Sequence, residues 1–221
     1  MYKNVIKRLF DIIVSGIAIV VLAIPMFIVA LVIKMDDPGP VLFKQKRIGK
    51  NRNGKVTYFM IWKFRSMKMS TPHDTPTHLL ENPEQYITRI GKFIRKTSID
   101  ELPQIYQVFT GKLSCIGPRP GLWNQVNLWE EREKYGANDV KPGITGWAQI
   151  NGRDELEIPV KAKFDGEYTA ALNAGNLKGF AMDLKCFFGT ITSVLKSDGV
   201  VEGGTGELNK QEDSNLRIKK H

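Results

Sequence analysis

From Ile12 to Ile33 the chain runs 22 residues without a charge, interrupted only by Ser15, Gly16 and Pro25. An apolar run of that length is membrane-grade, and as a helix it extends about 33 Å, close to the thickness of the hydrocarbon core. It exceeds the apolar core of a secretory signal, and Lys34, Asp36 and Asp37 follow it instead of a small-residue cleavage site. A buried helix of a soluble protein normally keeps a polar face, which this run lacks. Pro25 sits near its centre, where its missing N–H and its clash with the carbonyl of Val21 predict a break.

Beyond the run, DDPGP (36–40) reads as a turn. VLFKQKRIG (41–49) and KVTYFMIWKF (55–64) read as strands, joined by the hairpin chemistry of Asn53-Gly54. A polar, proline-containing stretch, 67–83, reads as a surface loop. Helical spacing recurs over 84–96, 99–110, 121–135 and 180–196. The last carries Phe180, Leu184, Phe187, Phe188 and Ile191 around Lys185, as either a core helix or an interfacial one. The Gly-rich polar end, 199–221, balances four acids against four bases and is expected to be a disordered tail. The fold class expected is α+β: a membrane segment over 1–35, a small hairpin, and a mainly helical domain over 36–198 with interfacial amphipathic helices.

Composition changes this picture little; charge changes it more. Hydrophobic residues at 42% and charged residues at 25% exclude a disordered or fibrous chain. The net charge of +9 is concentrated at one end: residues 1–70 hold 13 Lys+Arg against 3 Asp+Glu, whereas the remainder holds 19 against 20. Lys3, Lys7 and Arg8 precede the apolar run, and Lys34, Lys44, Lys46, Arg47, Lys50, Arg52 and Lys55 follow it. Both ends therefore favour the cytoplasmic face, which a simple crossing cannot satisfy and a re-entrant helix-break-helix can. Anionic membrane lipids are the expected partner of this collar. Nucleic acid is not, because the charge adjoins the apolar run and no interleaved aromatic platform accompanies it. Cys115 and Cys186 show no CxxC spacing and only three histidines exist, so a zinc site is not expected and both thiols are read as reduced.

The richest chemistry lies in RKTSIDELPQIYQVFTGKLSCIGPRP (95–120). Asp100 and Glu101 are adjacent, with Arg95 upstream and Arg119 presented by GPRP. Two readings stand open. Ser98 to Glu101 fits an S-x-x-E capping box. Alternatively, Pro103 delays the helix and leaves the acids on its lip, where carboxylates beside an arginine can hold Mg²⁺ and meet a phosphate. A carboxylate can also act as a nucleophile toward phosphorus. KPGITGWAQINGR (141–153) gathers Gly143, Thr145, Gly146, Gly152 and Arg153, either as an anion-binding backbone or as a tight turn.

KRLFD (7–11), the Pro-broken apolar run, VLFKQKRIG, WKFRSM, TSIDELPQ, GPRP and PGITGWAQINGR, in that order, closely resemble the bacterial sugar transferase family, the monotopic phosphoglycosyl transferases, over roughly residues 1–200. The resemblance implies an enzyme of the bacterial inner membrane, on its cytoplasmic face. It would transfer a phosphosugar from a UDP-sugar, a UDP-N-acetylhexosamine derivative being expected, to undecaprenyl phosphate, releasing UMP and initiating a surface glycan. Mg²⁺ and a re-entrant helix broken at Pro25 are implied as well. By motif, Asp100 would be the nucleophile, and Glu101 a metal ligand with Asp100 or a proton acceptor. Arg95 and Arg119 would bind phosphate, and Lys63, Thr145, Gly146, Asp165 and Asp183 complete the expected substrate-binding set. Ile24 and Asn124 depart from the family pattern, which often has Ser and an acid there. A homodimer is left open, and the alternative function is a membrane-anchored, non-catalytic lipid-binding or scaffold protein.

Overall fold

The computed structural model describes residues 1–71, 82–152 and 156–196. The expected tail, the middle of the 67–83 loop and Arg153 lie outside the described residues. A short π-helical turn, Tyr2–Ile6, runs directly into helix α1, Lys7–Asp36. Pro25 lies inside α1 and does not divide it, so the expected helix-break-helix is corrected to one helix of 30 residues, about 45 Å long. The physical reason is packing: Leu22, Met26, Val29 and Ala30 flank the proline and join the core of Phe64, Ile94 and Ile105, which stabilises helical backbone across the turn that loses a hydrogen bond.

The buried stripe of α1 passes through Asp11, Ser15, Met26 and Ile33, with Ala18, Ile19, Leu22, Val29 and Ala30 packed beside them. These positions recur at steps of three and four, one helix face. The opposite face is apolar and exposed: Val20 at 77%, Ile24 at 72% and Phe27 at 64%. That is the reverse of a soluble amphipathic helix. The segment is long and apolar enough to cross a membrane.

Strands β1, Leu42–Ile48, and β2, Tyr58–Phe64, form the expected antiparallel hairpin in the register Leu42↔Phe64 to Ile48↔Tyr58. At its tip Asn53 and Gly54 both have positive φ, 51° and 69°, the pair of left-handed residues a type I′ turn needs. Helix α2, Arg89–Lys96, follows a 3₁₀ turn at Pro83–Tyr86. Next come α3, Gln104–Phe109, and the strand β3, Ser114–Ile116. Helix α4, Val126–Glu133, leads to β4, Gly143–Thr145, which pairs in parallel with β3. The chain ends in a short α5, Trp147–Ile150, then α6, Ile158–Asn173, and α7, Asn176–Lys196.

Two apolar cores result among the described residues. One joins the C-terminal half of α1 to Phe64, Ile94 and Ile105; the other gathers Tyr2, Ile116, Val140, Tyr168, Leu172 and Cys186. Helix α6 was not foreseen. Its buried face, Ala162, Asp165, Gly166, Tyr168, Thr169 and Leu172, has helical spacing, but all except Tyr168 and Leu172 are small or polar, so only a weak hydrophobic period marks it. Helix α7 buries Cys186 and leaves Phe180, Leu184, Phe187, Phe188 and Ile191 exposed, so of the two readings the core helix does not hold for that apolar stripe. The two cysteines are free, and burial pushes both thiols up to about 12.

Candidate active site

Asp100 and Glu101 sit on a 3₁₀ turn, Ile99–Glu101, between α2 and α3. Helix α2 ends at Lys96, and Ser98 then takes a left-handed conformation (φ 58°), which a non-glycine residue adopts at a cost of about 1–2 kcal/mol. That reversal turns the acids toward β2. The Ser98 side chain makes no cap, so the capping-box reading does not hold. Pro103 instead stands at the N-cap of α3, where an N–H has no intrahelical use. The carbonyl of Ile99 is still satisfied, by the amide of Leu102 at 3.1 Å.

The cations arrive from distant elements. Lys63 Nζ, on β2, donates to Glu101 Oε1 at 2.7 Å and lies 3.6 Å from Asp100 Oδ2. The Arg119 guanidinium donates to Glu101 Oε1 at 2.7 Å and reaches Oε2 at 3.4 Å. Arg95, in the last turn of α2, is close enough to favour ionisation of Asp100. The structure thus brings together Lys63, Arg95, Asp100, Glu101 and Arg119.

The two acids are driven apart electrostatically. Burial pushes the Asp100 carboxyl up and prevails over Lys63, with Glu101 adding to the rise and Arg95 and Arg119 opposing it. Burial works the same way on Glu101, but Arg119 and Lys63 outweigh it and hold that carboxyl well below the usual range. Paired titratable groups with opposed shifts mark sites of chemistry. Among the described residues no three His, Cys, Asp or Glu side chains converge, and the adjacent carboxylates of Asp100 and Glu101 are the residues of this site that could hold a metal. Such a donor set fits Mg²⁺, which keeps several waters and takes the rest of its shell from substrate phosphates.

The remaining expected residues lie elsewhere. Thr145 Oγ1 is 2.7 Å from Thr190 Oγ1 on α7. A Cβ on Gly146 would sit 2.2 Å from the Gly117 carbonyl oxygen, and one on Gly143 2.2 Å from the Gly117 amide nitrogen. These glycines let two backbones touch where β4 pairs with β3, so the PGITG segment, expected as an anion-binding backbone or a tight turn, is instead a short strand leading into α5. Asp165 is bound by Arg132, whose Nε and Nη2 donate to Oδ2 at 2.8 and 2.6 Å. Asp183 accepts from Lys7 Nζ at 2.8 Å, Tyr2 Oη at 2.5 Å and Tyr168 Oη at 2.8 Å, tying the N-terminal turn to α6 and α7. Pro25, within α1, belongs to none of these clusters.

Arg132 escaped the sequence reading because WEERE looks like a solvated helix face, yet it is only 5% exposed. Gln104 escaped too: it is 1% exposed, and among the described residues its Nε2 finds no acceptor.

A model of the family described as bacterial sugar transferase matches residues 2–197. The uncharacterized sugar transferase EpsL of Bacillus subtilis (strain 168) is 37% identical over 196 residues, covering 89% of this chain and 90% of that protein. The UDP-glucose:undecaprenyl-phosphate glucose-1-phosphate transferase of Escherichia coli (strain K12) is 39% identical over 173 residues, 75% of this chain. The UDP-N-acetylgalactosamine-undecaprenyl-phosphate N-acetylgalactosaminephosphotransferase of Aeromonas hydrophila is 36% identical over 202 residues, 88% of this chain. This chain spans 36% and 44% of the length of the last two. Because the family model runs through nearly every described element, the chain belongs to the bacterial sugar transferase family.

Proposed function

We propose that this protein transfers a phosphosugar from a UDP-sugar to undecaprenyl phosphate, with Asp100 as the nucleophile. The observation that carries it is the acid pair itself: a buried Asp100 with a raised pKa beside a Glu101 locked in ionised form by Lys63 and Arg119. A desolvated, more basic carboxylate is the better nucleophile toward phosphorus. In the first step an Asp100 carboxylate oxygen attacks the β-phosphorus, the bond to the bridging oxygen breaks, and UMP leaves. In the second, an oxygen of undecaprenyl phosphate attacks the aspartyl-bound phosphorus and returns Asp100 as carboxylate. Phosphoryl transfer needs charge stabilisation above all, and Lys63, Arg95 and Arg119 surround the point of attack. Glu101, held low in pKa, is a poor proton acceptor, which favours its role as anchor and metal ligand over general base. Mg²⁺, when bound by the two carboxylates, would neutralise phosphate charge.

The membrane arrangement proposed is monotopic. One end of α1 is held by the Lys7–Asp183 pair and by Arg8, which donates to the carbonyls of Val108 and Phe109 at 2.7 Å. The other end is held by Asp36, which accepts from the Ile90 amide at 3.1 Å, and by the Arg65–Asp37 pair at 2.9 Å. Both ends thus belong to one polar body, which supports their lying on the same face of the bilayer with the outer face of α1 in lipid.

Protein with Mg²⁺, undecaprenyl phosphate and a panel of UDP-hexoses and UDP-N-acetylhexosamines is expected to release UMP. Asp100→Asn is expected to abolish both release and a phosphosugar mass adduct on the Asp100 peptide. Full activity in that variant would remove the assignment. Cysteine labelling near residue 2 and near residue 40 from opposite faces would refute the topology.

A further inference from the structure

We propose that Arg132 and Asp165 are a positioning pair for Arg119, acting through the Arg119 main chain to keep its guanidinium on the acid pair and the donor phosphates. The inference rests on the transfer chemistry proposed above. Arg132, on α4, spends two donors on one oxygen of Asp165, on α6, and the same Nη2 donates to the Arg119 carbonyl at 2.9 Å. Both side chains are nearly sealed from solvent, at 6% and 1% exposed.

Stability alone does not explain such a pair. Desolvating two charges offsets their attraction, and apolar replacements of similar volume are commonly neutral or stabilising. What an apolar pair lacks is a donor for the Arg119 carbonyl. Neighbouring carbonyls are also gripped: Pro118 by the Gly143 amide at 3.0 Å, Pro120 by Arg47 Nη1 at 3.3 Å and Gly121 by the Ile48 amide at 3.0 Å. The prolines on either side of Arg119 fix φ and donate nothing. The direction in which Arg119 leaves the turn is therefore set by what its acceptors bind, and Arg132 is the link that belongs to Arg119 itself. The guanidinium then reaches Glu101, 18 residues earlier in the chain. A phosphate clamp misplaced by about 1 Å loses on the order of a hundredfold in rate.

The test is UMP release by the full chain carrying Arg132→Met with Asp165→Leu, and separately Asp165→Asn, each made in wild-type and in Arg119→Ala backgrounds. Each variant is expected to lose about tenfold or more in kcat/KM in the wild-type background and to cost little further once Arg119 is gone, because residues acting through one another are non-additive. Wild-type turnover in the variants overturns the proposal. An equal loss in both backgrounds, or failure of both variants to fold, assigns the pair to stability alone and overturns it too. Absence of UMP release from the unaltered protein would instead refute the proposed function.

Discussion

Replacing Asp183 by Asn separates a framework role from a substrate-binding one. Its Oδ2 accepts from Lys7 Nζ at 2.8 Å and from Tyr2 Oη at 2.5 Å, while Oδ1 accepts from Tyr168 Oη. Whichever way it turns, an asparagine amide keeps one acceptor and presents a second donor to groups that themselves donate. Lys7, whose side chain is 12% exposed, is left without its counter-charge. Removing one partner of a buried pair costs about 3–5 kcal/mol. At about 2–4 °C per kcal/mol for a chain of this size, the thermal midpoint should fall by about 6–20 °C. The assay is thermal unfolding in detergent micelles, with amide exchange over residues 2–8 reporting release of the N-terminal turn. Lys7→Met combined with Asp183→Asn should cost less than the sum of the two single changes. A variant with the wild-type midpoint and a raised KM for the UDP-sugar would refute this and place Asp183 against substrate.

Because burial raises the Asp100 pKa, the acid limb of kcat/KM should lie above about pH 4, the range of an ordinary aspartate, and Lys63→Met should move it higher by removing a cation that favours the carboxylate. A limb that Lys63→Met leaves in place would contradict the Lys63–Asp100 interaction. Glu101 contributes in the opposite sense: its lowered pKa gives stability that is present above about pH 4.3 and lost on acidification, so Glu101→Gln should lower the thermal midpoint at pH 7 and do so less at low pH. Gly143→Ala drives a methyl to 2.2 Å from the Gly117 nitrogen, and overpacking of that kind costs about 1–3 kcal/mol or more, read as a lower midpoint; an unchanged midpoint would show that the two backbones do not touch. Gln104→Met removes a buried donor without an acceptor, which costs about 1–3 kcal/mol when left unpaired, so the substrate-free protein should melt higher; a lower midpoint would mean that the amide has a partner.

Short-range patterns are legible in the sequence alone. Twenty-two uncharged residues define the apolar helix, and two alternating runs around Asn53-Gly54 define the hairpin and its turn. Pro103 beside the adjacent acids foretold a late start to α3. Resemblance supplied the family and a list of residues, but not their partners. Packing between distant elements brings Glu101 to Lys63 from 38 residues away and to Arg119 from 18, an arrangement that separates the two acids in pKa. The same packing buries Arg132 and Asp165 against each other, lets Asp183 fasten the N-terminal turn, and carries α1 unbroken through Pro25. The division has a physical cause. Helix, strand and turn preferences act over a few residues and leave a period to read. Which charge neutralises which, and which backbones come close enough to require glycine, depends on packing between elements far apart in the chain.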